Sequence, residues 1–74
     1  MNRTKEGVEV QVGQIWQDLD SRMRGRKRKV VAILGERVLM DEPTASLLNK
    51  VNPTRVSIRR MHRHSTGWAL IDKA

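Results

Sequence analysis

The sequence predicts an all-β fold, about five short strands bent into one small barrel. Three observations carry this. Apolar and polar residues alternate with period two over much of the chain, and Gly, Asn and Pro punctuate the alternating segments. β-Branched residues fill the longest apolar run. Finally, 74 residues of which 38% are apolar supply too little material for two packed sheets. Closing one sheet on itself also protects edges that an open sheet would expose.

Each element has its own signal. Residues 1–7 read as a flexible N-terminus of a single domain spanning 1–74. Val8, Val10 and Val12 alternate with Glu9 and Gln11, the pattern of a half-buried strand. Gly13 interrupts it, and "QIWQD" continues either as a second extended piece or as the same strand past a bulge. "DLDSRMRG" (Asp18 to Gly25) reads as a loop. "KVVAIL" reads as a strand buried on both faces, starting near Val30 so that the basic residues before it project as a loop or arm. Gly35-Glu36 is a tight turn, and "RVLMD" returns as the hairpin partner. Residues 43–52 read as a loop or short helical turn, with Leu47, Leu48 and Val51 facing the core. An α+β fold with a true helix over 44–51 is the alternative. "TRVSIRRM" alternates again, "HSTG" is a turn, and "WALI" is the last strand.

Composition excludes several classes. There is no cysteine, hence no disulfide framework and no Cys-based zinc site. No apolar stretch approaches the roughly 20 residues that span a bilayer. "MNRTKEGVEV" has no apolar core after its basic residues, so no signal peptide is read there. The expectation is a soluble, cytoplasmic protein without a membrane partner.

Charge is the strongest functional signal. The chain carries +7 with a pI near 11.2, and the excess is concentrated. Arg22, Arg24, Arg26, Lys27, Arg28 and Lys29 form one cluster; Arg55, Arg59, Arg60 and Arg63 form another, with His62 and His64 beside them. Such a distribution is the footprint of a polyanion binder. Arginines outnumber lysines, and a guanidinium grips phosphate bidentately where an ammonium acts as a point charge. Gatekeeper charges that keep "VVAIL" from aggregating account for two or three basic residues, not six. Proximity of the two clusters, with Arg55 and Arg59 on one strand face, is expected.

Other constellations carry less. Asp18 and Asp20 are spaced as paired carboxylates, but neighbouring arginines make bracing of Arg22 or Arg26 the simpler role. No catalytic residues are assigned and no enzyme is expected. His62 and His64 lie on one side of an extended segment, yet the sequence offers no evident third ligand and Arg60 and Arg63 repel a cation, so neither metal nor cofactor is expected. "GRKRK" lacks the spacing of a phosphate loop. Trp16 and Trp68 read as core residues. With no Tyr or Phe to stack bases, contacts should run to phosphates, favouring duplex DNA or structured RNA over single strands.

Gly13, Gln14, Trp16, Asp18, Asp20, Arg22, Gly25 and Arg26, followed by Arg55, Ser57, Ile58, Arg59, Gly67 and Trp68, carry a resemblance. Over roughly residues 12–71 the chain resembles small uncharacterised phage and prophage proteins with a Gly-Gln-x-Trp-x-Asp opening, an Asp-x-Arg-x-x-Gly-Arg loop and an Arg-x-Ser-Ile-Arg segment ahead of a Gly-aromatic strand. It departs from them in the longer "EPTASLLNKVNP" segment and in the lysines after Arg26. It is also similar to SH3-like barrels of the KOW type, which implies binding to RNA, DNA or the transcription and translation machinery. The expected function is a non-catalytic nucleic-acid-binding module. The alternative is a phage-type inhibitor or adaptor docking on an acidic surface of a host protein. That alternative needs apolar anchors, for which Leu47, Leu48 and Val51 are the candidates. Homodimerisation through an open edge strand is compatible with either.

Overall fold

The computed structural model describes residues 3–64 and 66–72. Five strands form one antiparallel sheet: β1 (Ile15–Asp18), β2 (Lys27–Leu34), β3 (Arg37–Asp41), β4 (Thr54–Ser57) and β5 (Trp68–Asp72). Their order is β4-β3-β2-β1-β5, so the chain's last strand lies beside its first. The architecture is all-β, of the small SH3-like barrel type, with no α-helix among the described residues. A 3-10 turn (Ser21–Met23) lies between β1 and β2, and a second (Ile58–Arg60) between β4 and β5.

The core forms where the alternating residues of the sheet converge: Val30, Val38, Met40 and Val56 pack with Trp16 and Trp68, joined by Val10, Ile58 and Met61. Each such Val or Met side chain stabilises the fold by about 1.5–3 kcal/mol through burial. Both tryptophans are core residues, as their positions predict. The Trp16 indole Nε1 donates to Gln14 Oε1 at 3.1 Å, so burial leaves it satisfied.

β2 and β3 form the expected hairpin. Gly35 takes φ 67° at the first position of its two-residue turn, where a side chain would be strained. A bulge in β2 between Val30 and Ala32 resets the alternation. Val30 and Ile33 pack on the core, while Ala32 pairs with Leu39. The apolar run is therefore not buried on both faces: Leu34 is exposed, and Ala32 and Leu39 are half-buried.

Four expectations are corrected. First, residues 8–12 form no strand; only Val10 is fully buried, and Arg3 and Glu9 make an isolated bridge. Gln14 takes the place of a neighbouring strand. Its side chain accepts from Gln11 N at 2.9 Å and donates to the Glu9 carbonyl at 2.9 Å, and Gly13 (φ 98°) turns the chain into β1. Residues 3–7 form a turn in which the buried Thr4 hydroxyl accepts from Val8 N at 3.2 Å.

Second, β2 begins at Lys27, not near Val30, so the basic run does not project as a whole. Arg28 is 1% exposed. Third, β4 ends at Ser57: its side chain accepts from Arg59 N and starts a 3-10 turn, removing Arg59 from the strand face of Arg55. Fourth, the 42–53 segment is a loop, one of the two forms expected for it, but Leu47, Leu48 and Val51 are exposed and do not face the core.

That loop is fixed by two buried charges. Asp41, fully buried, accepts from Glu42 N at 2.7 Å, Val51 N at 2.9 Å and Asn52 N at 2.6 Å. Arg28 donates to Glu42 Oε1 at 3.2 Å, to Thr54 Oγ1 at 3.2 Å and to the Asn52 carbonyl. Burial pushes the Asp41 carboxyl up, but the three backbone donors, with Arg28 nearby, outweigh it and hold the pKa below the usual carboxylate range.

Candidate functional site

The β1–β2 loop is built on its two aspartates. Asp20 caps the first 3-10 turn, its Oδ1 accepting from Arg22 N at 3.0 Å and Arg22 Nε at 3.1 Å, and its Oδ2 from Arg22 Nη2 at 2.7 Å. Those bonds from Arg22 lower the Asp20 pKa to about 2. Asp18 accepts from Asp20 N at 3.0 Å through Oδ1 and from Arg26 Nη2 at 2.9 Å through Oδ2. The Arg26 guanidinium also lies 5.9 Å from the centre of the Trp68 ring. Both carboxylates orient arginines, as the bracing role predicts.

Opposite this loop stand β3, β4 and the second 3-10 turn. The register sets Arg37 beside Ser57 and Leu39 beside Arg55. Arg60 follows on the turn, close enough to Asp20 for its charge to help hold that carboxyl ionised. Between the two walls lies a groove of about 450 Å³, with Arg22 and Arg26 on one side, Arg37, Arg55 and Arg60 on the other, and Trp68 in its lining. Among the described residues no carboxylate pairs with Arg37, Arg55 or Arg60. Asp18 and Asp20 also line the groove, but each is bonded to an arginine of its own loop, so the concave space holds more guanidiniums than carboxylates, and guanidiniums have a fork geometry suited to phosphate.

The fold therefore brings together four of the ten basic residues singled out in the sequence: Arg22, Arg26, Arg55 and Arg60. Arg24, Lys27, Arg59 and Arg63 are exposed but do not line the groove. Lys29 lines a different, apolar depression. Arg28 is the correction: it is buried and its donors serve Glu42, Asn52 and Thr54, so it is withdrawn from any surface.

Arg37 is the residue that the charge clusters miss, because it stands alone in sequence. Its signal was its place directly after the Gly35-Glu36 turn, where hairpin register aligns it with the strand carrying Arg55. His62 and His64 lie outside the groove lining, their rings 5.2 Å apart, with His64 N donating to His62 Nδ1 at 3.3 Å. Among the described residues no group of three His, Cys, Asp or Glu side chains is placed to hold a metal, and no helix is long and apolar enough to cross a membrane. No protein-family model, no curated protein and no solved structure matches the chain.

Proposed function

We propose that the protein is a non-catalytic nucleic-acid-binding module whose arginine groove grips the phosphates of duplex DNA or structured RNA, and that it belongs with the phage and prophage proteins its motifs resemble. One observation carries the reading: two basic clusters far apart in sequence meet across one groove lined by five arginines and two aspartates, and among the described residues Arg37, Arg55 and Arg60 form no salt bridge with a carboxylate. The burial of Trp16 and Trp68 supports it, since neither ring is offered as a stacking platform. The exposed Arg24, Lys27, Arg59 and Arg63 add attraction over roughly a Debye length of 8–10 Å.

The test is fluorescence anisotropy with labelled duplex DNA, single-stranded DNA and hairpin RNA across a salt series. Five groove arginines on duplex phosphates predict a log–log salt slope near roughly −4.5, at about −0.9 per contact. Negligible binding to all three at moderate salt would sink the reading.

A second reading, docking on an acidic protein surface, is favoured by one observation. Leu47, Leu48 and Val51, the apolar anchors it needs, are exposed.

A further inference from the structure

The side of the sheet away from the core is apolar where β2 and β3 run together. Leu47, on the 42–53 loop, stands as a ridge between two depressions there. One, of about 320 Å³, is lined by Val12, Val31 and Ala32; the other, of about 420 Å³, by Leu34, Leu39 and Pro53. Ala32 and Leu47 belong to both, so the two are continuous. Val12, Leu34 and Leu47 are each about half exposed, and Leu48 beside them is 92% exposed. A chain this small rarely leaves contiguous apolar surface in water without a use for it.

The charged residues in these linings are Lys29 in the first depression and Lys50 and Arg55 in the second; no carboxylate is among them. This sign selects the occupant. A second copy docked face to face by a two-fold axis would bring the basic rim against itself. An apolar partner segment flanked by Asp or Glu would meet complementary charge. The two depressions on either side of Leu47 offer places for two apolar side chains, as an amphipathic segment laid into a groove presents them.

We infer that this double depression binds an acidic amphipathic segment of a partner protein, with apolar side chains on either side of Leu47 and carboxylates on Lys29 and Lys50. The inference deepens the second functional reading by giving it a site other than the arginine groove. Arg55 lines both surfaces and is therefore left unchanged in the test.

The isotopically labelled full chain is titrated with a synthetic helical peptide carrying leucines at i, i+3, i+4 and i+7 flanked by glutamates, and with a scrambled peptide of the same composition. Amide shifts confined to Val12, Ala32, Leu34, Leu39 and Leu47, with affinity about tenfold above that of the scrambled peptide, are the expected result. Leu47→Asp, at an exposed position, and Lys50→Glu should each remove that margin. Equal binding of both peptides, insensitive to Leu47→Asp but lost in Arg60→Glu, overturns this site while leaving an acidic partner in the groove. Binding of neither peptide overturns both. Self-association, or binding to anionic vesicles, that Leu47→Asp abolishes while the peptide does not bind overturns the inference in favour of a second copy or a membrane surface.

Discussion

Arg26 and Arg28 flank Lys27, and the fold gives their guanidiniums opposite surroundings. Arg26 donates to Asp18 at 2.9 Å in the wall of the groove, with 34% of its side chain exposed. Arg28 is sealed beneath the 42–53 loop, its Nη groups donating to Glu42, Thr54 and the Asn52 carbonyl. One arginine of a continuous basic run lines the groove; its neighbour clamps a loop.

Arg28→Met should separate these roles. Methionine fills similar volume but makes none of the hydrogen bonds that tie Arg28 to Glu42, the Asn52 carbonyl and the Thr54 hydroxyl, a loss of about 1–3 kcal/mol. Urea denaturation should show that loss, while affinity for duplex DNA, measured where the variant is folded, stays within about threefold. A large loss of affinity in a folded variant would place Arg28 at the ligand instead.

Charge removal around the groove should be sharply position-dependent. Arg60→Glu should weaken duplex binding by about tenfold and flatten the salt slope by about 1 or more. Arg24→Gly should do neither beyond the small effect of a distant charge. Arg24 sits at φ 54° after the first 3-10 turn, outside the groove lining, and glycine relieves a left-handed conformation costing about 1 kcal/mol. Equal effects of the two substitutions would show that net charge, not the groove, governs binding.

What could be read from sequence was what local physics decides. The β2–β3 hairpin followed from a β-branched run and a Gly-first turn, and the bracing of Arg22 by Asp20 from a spacing of two. Val8 to Val12 misled because the partner of that segment is a side chain, Gln14, rather than a strand. "RVSIRRM" misled because alternation continues past Ser57 while its hydroxyl already caps a turn. The fate of Arg28 depends on Asn52 and Thr54, 24 and 26 residues away. The meeting of the basic clusters, by contrast, agrees with the proximity expected of them, and it rests on the arrangement of the strands and not on any local pattern.

The buried Asp41 should make stability fall in acid. Its pKa is held below the ordinary value near 3.8, so the folded state binds a proton less readily than the unfolded chain. A group depressed in this way contributes stability above about pH 4 that is lost as pH falls through its folded pKa. Asp20, lowered to about 2, acts in the same direction over the same window. Denaturation midpoints should therefore drop between about pH 4 and pH 2. Asp41→Asn should be weaker at neutral pH, with a shallower slope across that window; identical slopes would remove Asp41 from the account.

Gly67 should be the least replaceable glycine, for a reason of space rather than backbone conformation. A Cβ placed there would lie 1.8 Å from the His62 carbonyl oxygen and 2.8 Å from its carbon, both backbone atoms. The same turn is tied by Gly67 N donating to the His64 carbonyl and Trp68 N to the His62 carbonyl, each at 2.7 Å, and by Leu19 N donating to the Gly67 carbonyl at 3.0 Å. Alanine must push the turn away, strain these bonds and shift Trp68, which lines the groove. Gly67→Ala should cost about 3 kcal/mol or more, with a change in tryptophan fluorescence and weaker duplex binding. Gly7→Ala is the control: it takes φ 80° but meets nothing within 4 Å, so its cost is conformational strain of about 1–2 kcal/mol. If urea midpoints put the two variants level, the close approach of residues 62 and 67 is not what fixes the wall of the groove.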